Sequence, residues 1–144
     1  MWRRKKQSME RADLEELCQR RRVQMLRLME VADLTAQLAQ ALDRRDQVSV
    51  TLLLSMREEP LHLLEEMERD LRAHLLDLPQ QDAIRANELL RGAQAETEEE
   101  AALCEQTARY RRLLESVSAQ DRQLSLRIGG ARSFYRTFRP PTGG

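Results

Sequence analysis

Leu38-Ala-Gln-Ala-Leu42-Asp43-Arg-Arg-Asp46-Gln-Val-Ser-Val50-Thr-Leu-Leu-Leu54 is the stretch on which the fold turns. Up to Leu42 the apolar residues recur at threes and fours, the spacing of one helix face. Across Asp43 to Asp46 that pattern lapses, and from Val50 it resumes. Asp46 is placed to start the second helix, because its carboxylate can accept a hydrogen bond from an amide of the first turn. Two helices joined by so short a connection must lie antiparallel.

Toward lower numbers, Leu14, Leu17, Leu28, Val31, Leu38 and Leu42 form one stripe, widened by Cys18, Met25, Ala32 and Ala39. It predicts a first helix from Met9 to Arg44. Arg21 falls in register with Leu14, Leu28, Thr35 and Leu42, so the seam is expected to lie open at that end. The second stripe is Val50, Leu53, Leu54, Leu61, Leu64, Met67, Leu71, Leu75 and Leu78. Pro60 interrupts it, either kinking the helix or ending one that restarts at the capping-box sequence Ser55-Met-Arg-Glu58. Pro79 limits the second helix at Asp77 or Leu78.

A short helix is expected from Gln81 to Arg91, with Ile84 and Leu89 or Leu90 inward and Gly92 closing it. The last long helix opens at the capping box Thr97-Glu-Glu-Glu100, where Glu96, Glu98, Glu99 and Glu100 suit the positive end of the helix dipole. Its stripe reads Leu103, Tyr110, Leu113, Leu114, Val117, Leu124 and Ile128, and Gly129-Gly130 ends it. The expected fold is all-α, an elongated antiparallel bundle of three long helices plus one short helix with coiled-coil-like packing. Residues 1–8 read as a basic flexible N-terminus, 9–128 as one helical domain and 129–144 as a flexible Gly/Arg/aromatic tail.

Composition narrows the function. Lys+Arg and Asp+Glu both number 24, so no net field draws the chain to DNA or an anionic membrane. Arg20-Arg-Arg22 fans around a helix, a poor geometry for following one phosphate backbone, and nucleic acid is therefore a minor alternative. Trp2 with Arg3-Arg-Lys-Lys6 makes only a marginal membrane anchor. The segment after it carries Glu10, Asp13, Glu15 and Glu16 in place of the apolar core of a signal peptide, and no run is long and apolar enough to span a bilayer. A cytoplasmic protein is expected, with Cys18 and Cys104 as two reduced, core-like thiols.

Catalysis is not expected. Glu59-x-x-His62 resembles half of a carboxylate-bridged di-iron site, but Leu71 stands three residues before His74, where the other half would need a glutamate. Cys18 and Cys104 lack the close pairing of a zinc site. No glycine-rich phosphate loop or Gly-x-Ser-x-Gly elbow occurs. No cofactor, metal or small-molecule substrate is implied.

What remains is binding. Leu52, Leu53 and Leu54 are adjacent, and Leu61, Leu63 and Leu64 nearly so, giving the second helix more apolar circumference than one neighbour can cover. Leu53 and Leu64 are thus candidates for a groove that receives a partner helix, with a closed three-helix core as the alternative. Phe134, Tyr135 and Phe138 stand among arginines after Gly129-Gly130, the residue types that anchor interfaces. They either dock a partner or fold back over the end of the bundle.

The acidic-basic turn followed by a leucine-rich helix, from Leu38 through Leu54 to Arg57-Glu58, resembles the small cytoplasmic export chaperones of the bacterial flagellum, the FlgN-like family. So do the row from Tyr110-Arg-Arg-Leu113-Leu114 to Leu124 and Ile128, Tyr135 beyond it, and the size and succession of helices. The resemblance implies capture of the terminal amphipathic helix of an exported axial subunit and its presentation to the export gate. It implies that the partner helix meets Leu113, Val117 and Leu124, and that Tyr135 docks on the gate. Pro60 and the double glycine depart from the family's pattern. A self-associating structural coiled coil, including a homodimer, is the alternative from the residues themselves.

Overall fold

The first hairpin closes on the residue the sequence singles out. In a computed structural model, which describes residues 9–129, the Asp46 carboxylate accepts hydrogen bonds from the Ser49 amide at 3.1 Å and the Ser49 hydroxyl at 2.6 Å. Arg45, at φ 58°, takes the left-handed conformation that reverses the chain. Among the described residues four helices form: α1 (Arg11–Asp43), α2 (Gln47–Leu76), α3 (Gln80–Leu90) and α4 (Glu98–Ile128). Among the described residues there are no strands. The all-α bundle of three long helices and one short one is therefore what forms, with each boundary within one or two residues of its expected place.

Three expectations need correction. α2 runs unbroken through Pro60, so Ser55 does not start a new helix. The proline ring is buried, and the carbonyl that loses its amide partner belongs to Met56, a residue on the exposed side where water can serve it. Ile84 points outward while Ala86, Leu89 and Leu90 face in, because the buried face of so short a helix is fixed by the two leucines at its end. Arg21 does not open the seam but is itself buried.

Buried positions repeat by sevens. On α1 they are Leu14, Arg21, Leu28 and Thr35 with Leu17, Gln24, Val31 and Leu38; on α4 they are Glu100, Thr107, Leu114 and Asp121 with Leu103, Tyr110, Val117 and Leu124. That is the heptad of left-handed coiled-coil packing. Leu17, Leu28, Leu38, Leu61, Leu71 and Leu103 are wholly enclosed, each worth roughly 1.5–3 kcal/mol for leaving water.

The core forms three apolar blocks. A proximal block joins Leu14 and Leu17 of α1, Leu71 of α2, Ala86 and Leu89 of α3 and Leu103 of α4. A middle block joins Leu28, Val31, Leu61, Leu64, Tyr110, Leu114 and Val117. A distal block joins Leu34, Leu38, Ala41, Val50, Leu53 and Leu124. This order makes α1 and α4 run the same way, with α2 antiparallel to both and α3 closing the proximal end. α1 lies along both α2 and α4, whereas the backbones of α2 and α4 approach each other far less and meet through side chains.

Candidate functional site

Polar side chains separate the apolar blocks. Between the proximal and middle blocks, the Arg21 guanidinium stacks 4.7 Å from the centre of the Tyr110 ring and donates to Gln24 at 2.7 Å. Gln24 in turn donates to Glu68 of α2 at 3.3 Å. Burial pushes the Tyr110 phenol up to about 12, the nearby Arg21 charge opposing the rise. Between the middle and distal blocks, Arg57 Nη2 of α2 donates to Asp121 Oδ1 of α4 at 2.6 Å, with both side chains almost completely enclosed. Burial holds the Asp121 carboxyl above its ordinary value even against the Arg57 charge.

A second buried carboxylate, Glu100, sits at the α3–α4 connection. At the capping box expected at Thr97, the Thr97 hydroxyl accepts from the Glu100 amide at 3.1 Å. The Glu100 carboxylate accepts from the Glu96 amide at 2.8 Å and takes the Arg85 guanidinium at 2.7 Å and 3.0 Å. Arg85 also donates to the Gln94 carbonyl, so one arginine of α3 pins the loop before α4. Glu100 thus ties helices together in addition to lying at the dipole end, while Glu98 and Glu99 stay in solvent.

These groups are structural in their chemistry. A general acid or base must exchange a proton with something that reaches it, and Asp121 and Glu100 are enclosed and closed off by guanidinium groups. His62 is on the surface, paired with Glu66 at 3.2 Å, and His74 is half-buried further along the same helix. Cys18 and Cys104 are free thiols, and burial raises both above the ordinary value. Among the described residues no three His, Cys, Asp or Glu side chains gather to hold a metal.

The residues expected to bind a partner are divided by the fold. Leu53, Leu64, Val117 and Leu124 are buried in the bundle's own blocks, and Leu113 is half-buried against the middle one. A partner could reach the four only by displacing a helix, so the expected groove along them is closed here by packing within the chain. Phe134, Tyr135 and Phe138 lie outside the described residues.

The excess apolar circumference read at Leu52 to Leu54 is real, but it surfaces elsewhere. Val48, Leu52 and Met56, spaced by fours on α2, are 80%, 58% and 48% exposed. Leu63, two turns further on, is half-buried. Residues four apart stack on one helix face, so these side chains make a continuous apolar row. Glu59 and Glu66 follow Leu52 by sevens and are oriented like it, which gives the row an acidic continuation. The signal for this row was the unbroken leucine triplet, whose middle member α1 and α4 take and whose first member they leave out.

No helix among the described residues is long and apolar enough to cross a membrane. No family model matches the chain, and neither the curated proteins nor the solved structures contain a match to it.

Proposed function

We propose that this chain is a non-catalytic helical binding protein that receives an amphipathic helix of a protein partner along the Val48–Leu52–Met56 row. The observation behind the reading is that row: three large apolar side chains at i, i+4 and i+8 left to solvent on one helix face, where the other exposed large apolar residues, Leu26, Met29, Leu76, Ile84 and Leu126, form no such row of three. Covering what remains exposed of the three is worth about 4 kcal/mol. The partner's own apolar face, buried in the same act, roughly doubles that, and association costs take back several kcal/mol. Binding of moderate strength follows, suited to a partner that must be released.

The narrower proposal is a cytoplasmic export chaperone for a flagellar axial subunit, and its support is the sequence resemblance alone. The test is calorimetric titration of the purified chain with terminal-helix peptides from the axial subunits of its native host, beside Leu52→Asp. A loss of at least about tenfold on substitution, or about 1.4 kcal/mol, is the expected result. Binding indifferent to Leu52→Asp removes the row as the surface, and no binding of any such peptide removes the chaperone reading. Stability that rises with protein concentration would point instead to self-association through the same row.

A further inference from the structure

α3 is fastened to the bundle differently from the long helices. At 11 residues it is shorter than a helix that stands by itself in water. Its N-cap is Pro79, which supplies no side-chain hydrogen bond to the first turn. Its inward residues, Ala86, Leu89 and Leu90, belong to the proximal block alone, and the middle and distal blocks are built without it. Removing α3 therefore leaves α1, α2 and α4 joined along most of their length. Polar contacts tie it to α4. Arg85 donates to both oxygens of Glu100 and to the Gln94 carbonyl. Arg111 of α4 donates to the Arg91 carbonyl at the end of α3, and Cys104 of α4 donates to the Ala93 carbonyl at 3.3 Å. The Arg85 side chain is 19% exposed where that of Glu100 is 4% exposed. Water thus reaches the guanidinium of this pair, in contrast to the enclosed Arg57–Asp121 pair.

We infer that α3 is a lid on the proximal block, which opens as a unit while α1, α2 and α4 stay packed, and that the Arg85–Glu100 pair is its latch. Opening uncovers the part of the proximal block that Ala86, Leu89 and Leu90 cover, and releases the Cys104 thiol from the Ala93 carbonyl. The chain permits the movement at both ends of the lid. Pro79 separates α3 from α2, and Gly92, at φ 109°, leads into the connection before α4. Segments that open ahead of the whole fold are those with few apolar partners and solvent-reached polar fastenings, and α3 has both. The lid lies at the opposite end of the bundle from the Val48–Leu52–Met56 row, so the inference stands apart from the partner proposed there.

Native-state hydrogen exchange of the full chain is the test, read at the amides of Ala86 to Leu90 in α3 and of Leu28 to Leu38 in α1. Each rate, divided by its value in an unfolded chain, gives the opening equilibrium of that amide. In the unaltered chain the α3 amides are expected to open at least about tenfold more often than those of α1. Val31→Ala removes contacts of the middle block, which the molecule keeps when only the lid is open. It should raise opening in α1 by about tenfold or more and leave α3 within about twofold of the unaltered chain. Arg85→Ala removes the latch, which neither the open lid nor the unfolded chain retains, and should raise opening in α3 by about tenfold or more. Equal opening of α3 and α1 in the unaltered chain overturns the inference. So does α3 opening that rises in step with α1 on Val31→Ala, because α3 then leaves only when the whole bundle unfolds. α3 opening that Arg85→Ala leaves unchanged overturns it as well.

Discussion

Arg57 and Asp121 are a pair whose two halves are unequal when taken apart. A guanidinium keeps its proton at any working pH, whereas a carboxyl deprived of its cation can become neutral by taking one up. Asp121→Ala leaves a buried cation without its carboxylate, at a cost of about 3–5 kcal/mol out of the roughly 5–15 kcal/mol that holds a domain together. With an m-value of about 2 kcal/mol/M in urea, the midpoint falls by about 2 M near pH 4, and by less near pH 7, because the raised Asp121 carboxyl of the parent has by then lost part of its contribution. Arg57→Met instead leaves Asp121 buried alone. Its carboxyl already sits above the ordinary value because burial disfavours the anion, and loss of the Arg57 charge raises it further. A raised folded value means that the stability contribution is complete below the unfolded value. It is lost as pH climbs, because the unfolded chain ionises first. The penalty of Arg57→Met relative to the unaltered chain therefore grows between about pH 4 and pH 7, by up to about 1.4 kcal/mol per pH unit until the folded carboxyl ionises. Urea melts followed by circular dichroism at both pH values read the two variants side by side. An Arg57→Met penalty equal at both, or an Asp121→Ala chain within about 1 kcal/mol of the parent, would refute the claim that this pair is enclosed and mutually dependent.

Two further substitutions probe other parts of the frame. Tyr110→Phe removes a buried hydroxyl that finds no hydrogen-bond partner among the described residues while keeping the ring under Arg21. Stability is expected to stay level or rise by up to about 1 kcal/mol, and alkaline difference spectra should lose a phenol that titrates near 12; a loss of stability beyond about 1 kcal/mol would mean the hydroxyl is bonded. Thr97→Ala deletes the N-cap of α4 and should cost about 1 kcal/mol, or a few degrees in the thermal midpoint; no change in either would show that the Glu100 bonds to Glu96 and Arg85 position α4 unaided.

The row at Val48, Leu52 and Met56 shows how far a sequence carries toward a binding surface. Leu52-Leu53-Leu54 announces surplus apolar area on α2, because three adjacent helical positions cannot all meet one neighbour. Which of the three is left out depends on where the neighbours stand. Leu53 goes to the core, Leu54 is half covered and Leu52 faces water. Val117 and Leu124 look equally eligible as docking residues by spacing, yet they are the positions α4 turns toward α1 and α2.

Helices, turn and caps were legible because their causes are local. A stripe at threes and fours, an aspartate three residues before Ser49 and a glycine after Ile128 act within a turn or two of chain, and each does in the fold what its neighbours in sequence dictate. Tertiary structure alone decided the fate of Arg21, Arg57 and Asp121. In sequence their spacing sets them in register with the apolar stripes, as read for Arg21, but does not say what would meet them there. Arg57 becomes a buried group only because α2 and α4 hang on opposite flanks of α1, at a spacing that its long side chain can bridge to a carboxylate 64 residues away. Whether a buried charge is tolerated depends on the partner brought to it in the low-dielectric space, and periodicity along one segment, which places the residue on the inner face, does not supply that partner.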